Sequence, residues 1–160
     1  TMNSASKPYA MTGWRVGYVA GDPAIIGGMA RLQSQTTSGA VTFIQHALAE
    51  ALTGDQSAVE QMRTEFERRA AHMYRRLTGI PGVRCPKPTG AFFCFPNISA
   101  GFGRCGVSGS GEFARKLLEE AHVAVVPGKD FGLDSHVRLS FATSMEKIDR
   151  GLDRLAKFMS

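Results

Sequence analysis

The sequence predicts an α/β fold in two parts, residues 1–54 and 55–160. Three features lead there. Asp22-Pro23 opens a helical stretch directly after a short apolar run, and Ser57-x-x-Glu60 opens a long amphipathic one. Val137, Leu139 and Phe141 alternate with Arg138, Ser140 and Ala142 at the two-residue period of a strand. Helical and extended patterns therefore interleave, and Thr53-Gly54-Asp55 punctuates them.

Taken in order, Val16 to Ala20 reads as a short strand ending at Gly21. Asp22 supplies an N-cap oxygen, and Pro23 takes the first helical position, where its missing N–H costs nothing. Ile25, Ile26, Met29 and Leu32 follow at helical spacing to about Ser38, although Gly27-Gly28 weakens the helix. A second helix spans Val41 to about Leu52 and carries Phe43, Ile44, Ala47, Leu48 and Ala51. The capping box starts the longest helix, to about Leu77, with Val59, Met62, Phe66, Ala70, Met73 and Leu77 on one face. Gly79-Ile80-Pro81-Gly82 stops it.

In the second part, Val83–Lys87 and Ala91–Phe95 read as two strands around a Pro88-Thr89-Gly90 turn. Pro96 to Gly111 reads as a Gly- and Ser-rich loop. Glu112–Ala121 is a helix with Phe113, Leu117 and Leu118 inward, and His122–Val126 a strand ending at Pro127-Gly128. Thr143-x-x-Glu146 caps the last helix, whose stripe is Ile148, Leu152, Leu155 and Met159.

The bulk numbers narrow the function classes. A hydrophobic content of 43% with 21% charged residues describes a soluble globular chain. No apolar run approaches the length of a membrane span, so no membrane partner is expected. The net charge of +5 raises the question of nucleic acid. However, Arg63, Arg68, Arg69, Arg75 and Arg76 lie along one helix among Glu60, Glu65 and Glu67, which is a solvated face without interleaved aromatics. No nucleic-acid partner is expected. Cys85, Cys94 and Cys105 form no Cys-x-x-Cys pair, and an odd count argues against a disulfide framework; a reducing cytoplasm follows. Cys94 reads as strand packing and Cys105 as a loop residue, neither with an activating partner. His46, His72, His122 and His136 show no metal-ligand spacing, so no metal is expected.

The chemistry concentrates in residues 1–18. Lys7 sits beside Ser4 and Ser6, eight positions before Arg15, which a Thr12-Gly13-Trp14 turn presents. A primary amine flanked by hydroxyls and a guanidinium fork suits Schiff-base chemistry with a phosphorylated aldehyde. Two local matches compete and are weaker. Ser4-x-x-Lys7 matches penicillin-recognising acyl enzymes, but Ser-Asp-Asn is absent and Lys87-Pro88-Thr89-Gly90 is not Lys-Thr-Gly. Gly101-x-Gly103-x-x-Gly106 matches the dinucleotide fingerprint in letters, but no helix opens directly after it. Arg138, on the polar side of an apolar strand, needs an anion, either an internal carboxylate or a ligand.

The run Ser4-x-Ser6-Lys7-x-Tyr9-Ala10-Met11-Thr12-Gly13-Trp14-Arg15-x-Gly17-Tyr18 resembles the lysine segment of class I (fold type I) aminotransferases, the aspartate aminotransferase family. The resemblance continues through Gly90-Ala91-Phe92, Val126-Pro127-Gly128 and Val137-Arg138-Leu139-Ser140-Phe141-Ala142. It implies that Lys7 carries pyridoxal 5'-phosphate as a Schiff base, with Ser4 and Arg15 on the phosphate. Arg138 is implied to bind the substrate α-carboxylate, with Gly90-Ala91-Phe92 at the mouth of the site. Phe93 stands where many relatives carry Tyr, so no hydroxyl acts there. Residues 1–54 then become the tail of the cofactor-binding large domain and 55–160 the small C-terminal domain. Amino acid and 2-oxo acid substrates and a homodimer are implied. Relatives carry this lysine well past their midpoint, so a C-terminal fragment without its own turnover is expected, its substrate open. Other reactions on the same scaffold, β-elimination or cyclopropane formation, and a non-catalytic dimerisation module are the alternatives.

Overall fold

A computed structural model describes residues Thr1–Ser160. The chain divides into two compact units, Thr1–Met62 and Arg63–Ser160.

The first unit begins with a ribbon that the sequence reading half anticipated. Strand β1 (Met2–Ser4) pairs antiparallel with β2 (Gly17–Val19) in the register Met2↔Val19, Asn3↔Tyr18 and Ser4↔Gly17. Gly17 permits this approach, because a Cβ there would lie 2.7 Å from the Asn3 carbonyl oxygen. Helix α1 (Pro23–Thr36) starts as expected: the Asp22 carboxylate accepts from the Ala24 N–H at 2.8 Å. It runs through Gly27-Gly28 but buries nothing, with Ile25 and Leu32 64% and 68% exposed. Helix α2 (Thr42–Thr53) buries Leu48 against Ala5 and Val16, with Tyr9, Met11, Ala40 and Ile44 around them. Tyr9 also donates its hydroxyl to the Gln56 amide oxygen at 3.2 Å.

Helix α3 (Ser57–Thr78) starts differently from the expected box. Ser57 is its first residue, and Asp55 closes the end by accepting from the Ser57 N–H at 3.0 Å and from the Ser57 hydroxyl. These hydrogen bonds, the hydroxyl's first, hold the Asp55 carboxyl below its ordinary value. Met73 and Leu77 of α3 are buried in the second unit's core. On its polar face Glu65 accepts from Arg68 at 2.8 and 2.9 Å and from Arg69 at 2.7 Å. The Arg68 bonds, then the Arg69 bond, hold the Glu65 carboxyl down at about 2, against an ordinary 4.5. A carboxyl depressed in the folded state adds stability above its unfolded value, and that contribution fades as pH falls through the folded one. Glu65→Gln should therefore narrow the stability difference from the parent as pH drops from about 4.5 to about 2, read as urea midpoints across that range.

The remaining elements are β3 (Phe93–Cys94), α4 (Phe102–Cys105), α5 (Ser110–Ala121), β4 (Val126–Pro127), β5 (Val137–Ser140) and α6 (Met145–Met159). The sheet order is β3-β5-β4, antiparallel throughout, with Phe93↔Ser140 and Cys94↔Leu139 on one side of β5 and Val126↔Arg138 on the other. The alternation of β5 is as read, with Val137, Leu139 and Phe141 buried. The stripe of α6 is too: Ile148, Leu152, Leu155 and Met159 are all at most 3% exposed.

Five expectations need correction. The strand read over His122–Val126 shortens to Val126–Pro127, since His122 ends α5 in a left-handed conformation, φ 55°. The hairpin at 83–95 shrinks to one bridge, Arg84↔Asn97, because Pro86 and Pro88 have no N–H to donate and Ala91 turns the chain at φ 61°. The 96–111 segment contains α4, whose Phe102 packs at 6.1 Å on Phe113 of α5. Leu118 is 52% exposed, while Phe113 and Leu117 are fully buried. Helix α6 is capped by Ser144, whose hydroxyl accepts from the Lys147 N–H at 3.3 Å, not by Thr143. No helix is long and apolar enough to cross a membrane.

Candidate active site

The lysine of the opening motif sits on an exposed turn whose foot is buried. Ala5 is fully buried, and its N–H donates to the Val16 carbonyl at 3.2 Å, extending the β1–β2 ribbon by one bond. Ala5 then accepts from the Tyr9 N–H at 3.3 Å, and Lys7 accepts through its carbonyl from the Ala10 N–H at 3.3 Å. Ala10 takes φ 54°, which closes the turn. Lys7 is thus raised to solvent on a turn seated against Val16 and Leu48.

The ribbon brings the two flanks of the motif together. Ser4, opposite Gly17, is also within hydrogen-bond reach of Ser6: its Oγ lies 2.9 Å from the Ser6 hydroxyl and accepts from the Ser6 N–H at 3.1 Å. Arg15 ends the short 3-10 turn Thr12–Trp14 in a left-handed conformation, φ 52°. A non-glycine residue held there costs about 1–3 kcal/mol, so the surroundings over-determine it. Its Nη1 donates to the Thr12 carbonyl at 2.9 Å, which fixes the fork on an exposed surface. Trp14 packs edge-on to Phe43 at 6.4 Å and holds the same turn to α2.

The chemistry of this donor set matches one kind of group. Hydroxyls at Ser4 and Ser6 and an always-charged guanidinium at Arg15 suit a phosphate dianion, and the Lys7 amine suits an aldehyde. Pyridoxal phosphate carries both functions, so these residues fit it.

Arg138 lies in the second unit, half-buried on β5 between β3 and β4. It forms no internal ion pair. Instead its guanidinium rests 5.3 Å from the centroid of the Phe93 ring and 4.8 Å from that of Phe131. Two aromatic faces orient the fork and contribute cation–π attraction without occupying its N–H groups. Phe131 reaches this position through the turn Gly128–Phe131, which only glycine can open: a Cβ on Gly128 would sit 2.3 Å from the carbonyl oxygens of Leu133 and His136. Phe131 in turn packs edge-on to Phe95 at 5.8 Å, and Phe95 stacks on His136 at 5.0 Å.

Sequence reading placed Ser4, Lys7, Arg15 and Arg138, but not the two rings on Arg138. Nothing in the spacing of Phe93 and Phe131 signals a shared partner. Gly90-Ala91-Phe92 forms the bend before β3, where the Phe92 carbonyl accepts from the Phe141 N–H at 2.9 Å. Phe92 thus extends the sheet by one bond, and its ring packs edge-on to Phe93 at 5.8 Å.

One chain thus joins the turns that bear Lys7 and Arg15 to a small antiparallel unit that bears the half-buried Arg138. Comparison with known proteins gives its family. Residues 1–155 match the family described as aminotransferase class I and II. The asparagine–oxo-acid transaminase of Streptococcus mutans is 47% identical over 158 residues, and the aspartate aminotransferase of Geobacillus stearothermophilus 45%. Each alignment covers 99% of this chain and 40% of the relative. The crystal structure of the aspartate aminotransferase from Rhizobium meliloti superposes with a TM-score of 0.92 at 39% identity, over 99% of this chain and 41% of that one. The chain belongs to the class I and II aminotransferases, pyridoxal-phosphate enzymes of fold type I. It spans about 40% of the length of the curated relatives it matches.

Proposed function

We propose that this chain supplies the cofactor lysine and the carboxylate-binding arginine of an enzyme that transfers an amino group between an L-amino acid and a 2-oxo acid. The observation that supports the reading is the ribbon that pairs Ser4 with Gly17, next in the chain to the turns that bear Lys7 and Arg15. Pyridoxal phosphate, when bound, supplies the aldehyde and a ring that takes up the electrons of the substrate Cα–H bond. Ser4 and Arg15 bind its phosphate and fix its position. The Lys7 amine would hold the aldehyde and, when free, would serve as the acid–base group for the proton of the substrate α-carbon. Arg138 grips the α-carboxylate through its fork and so orients the Cα–H bond. In this reading residues 1–54 are the tail of the large domain, residues 55–160 are the small domain, and the enzyme works as a homodimer. The 160 residues alone are expected to show no turnover, since no acid among the motif residues serves the pyridine nitrogen.

The test is borohydride reduction of the chain after addition of pyridoxal phosphate, followed by peptide mass mapping. A selective label on Lys7 supports the site; labels scattered over several lysines, or none, count against it. A second variant probes the other half. Arg138→Lys keeps the charge but loses the bidentate fork, and a hydrogen bond to a charged group is worth about 1.5–3 kcal/mol. In the active enzyme KM for the amino acid should rise about tenfold to a hundredfold, and an unchanged KM would remove Arg138 from carboxylate binding.

A further inference from the structure

Two cysteines of the second unit meet outside the site described above. Arg84 and Asn97 exchange backbone hydrogen bonds of 3.2 and 2.7 Å in an isolated antiparallel bridge. Counting from that bridge, Cys85 lies opposite Pro96, and Cys94, two residues from Pro96, is on the same face as its diagonal neighbour. Cys94 is buried in β3, opposite Leu139, whereas Cys85 lies half-buried at the margin of the same core. Cys85 Sγ donates to the Pro86 carbonyl at 3.4 Å, and the Cys94 thiol and the Phe95 backbone lie close enough to act on it. Hydrogen bonding from Cys94 pulls the Cys85 thiol below its ordinary value, and the same contact, reinforced by burial, pushes Cys94 up. One sulfur thus meets solvent as the readier thiolate, with a protonated thiol held against it. Cys105 differs: burial pushes its thiol up, and its Sγ donates to the Phe158 carbonyl at 3.4 Å.

We propose that Cys85 and Cys94 form a redox modification site, in which hydrogen peroxide oxidises Cys85 and Cys94 closes the product to an intrachain disulfide. The Cys85 thiolate attacks one peroxide oxygen, the O–O bond breaks, and the departing hydroxide takes a proton to leave as water. Cys85 is then a sulfenic acid. The Cys94 sulfur, giving up its proton, attacks the Cys85 sulfur; the S–S bond forms as the S–O bond breaks, and a second water leaves. Two thiols lose two protons and two electrons, and one peroxide is reduced to two waters. A dithiol reductant reverses the change by exchange. The closed ring encloses Pro86 to Phe93, whose first residues, 86–90, hold no strand pairing and can yield as the sulfurs draw together. Phe93 is the ring beneath Arg138. Oxidation thereby reaches the carboxylate-binding arginine through its support.

The experiment treats the chain with hydrogen peroxide at neutral pH, alkylates it and digests it with trypsin. Lys87-Pro88 resists cleavage, so Cys85 and Cys94 share the peptide ending at Arg104, and Cys105 opens the next. The 85–104 peptide should appear two hydrogen atoms lighter and free of alkyl groups, and dithiothreitol should restore two. In Cys94→Ser the sulfenic acid of Cys85 should persist and react with dimedone; in Cys85→Ser, Cys94 should remain reduced at the same dose. Earlier oxidation of Cys105, sulfinic acid on Cys85 of the parent chain without the disulfide, or an equal disulfide yield from urea-unfolded chain would each overturn the proposal.

Discussion

Replacing Lys7 with alanine is expected to abolish the borohydride label and to leave the active enzyme slower by at least about 10²–10⁴-fold, the usual contribution of one positioned acid–base group. The loss should fall on kcat more than on KM. In the proposed reading the amine would act on the α-carbon proton, while Ser4, Arg15 and Arg138 would continue to bind phosphate and carboxylate. Ala5, buried beneath the turn, and the backbone pairing of β1 with β2 are unchanged in this variant. Circular dichroism should therefore match the parent. A variant that keeps its rate would leave Lys7 as an ordinary surface residue.

Phe113→Ala is expected to be among the most destabilising single changes, at about 3–5 kcal/mol. Phe113 is fully buried, lies 6.1 Å from the Phe102 ring and meets Phe158 edge-on at 5.4 Å. The variant loses the transfer energy of the ring, leaves a cavity between α4, α5 and α6, and removes two aromatic contacts, worth about 0.5–1.5 kcal/mol each. Phe113→Leu refills part of the volume and should recover a substantial share. Urea denaturation followed by the far-ultraviolet signal measures both. A cost below about 1 kcal/mol for the alanine variant would mean that the surrounding helices collapse into the space.

Much of this was legible in the sequence wherever one period dominates. The stripe of α6 and the alternation of β5 have one buried face each, so Leu152 and Val137 fall where periodicity puts them. The 83–97 segment misled because apolar content resembles a strand even where prolines deny the ladder its donors. At Asp55 and Ser144, a neighbouring oxygen one or two residues away won the cap, a choice that local letters leave open. Lys7, Ser4 and Arg15 were readable because they lie in one short motif. The seat of Arg138 was not, because Phe93 and Phe131 come from separate stretches and converge only through Gly128 and the sheet.

The ribbon carries a kinetic consequence. Ser4 reaches Gly17 by closing a short loop, whereas Phe93 reaches Ser140 only after half the second unit has been traversed. Loop-closure cost rises with contour length, and local hairpins assemble in about 1–10 μs, far ahead of distant strand pairs. The phosphate-side donors should accordingly gather early during refolding, before the guanidinium of Arg138 finds its rings. In a stopped-flow trace, quenching of Trp14 should precede the amide protection of β5.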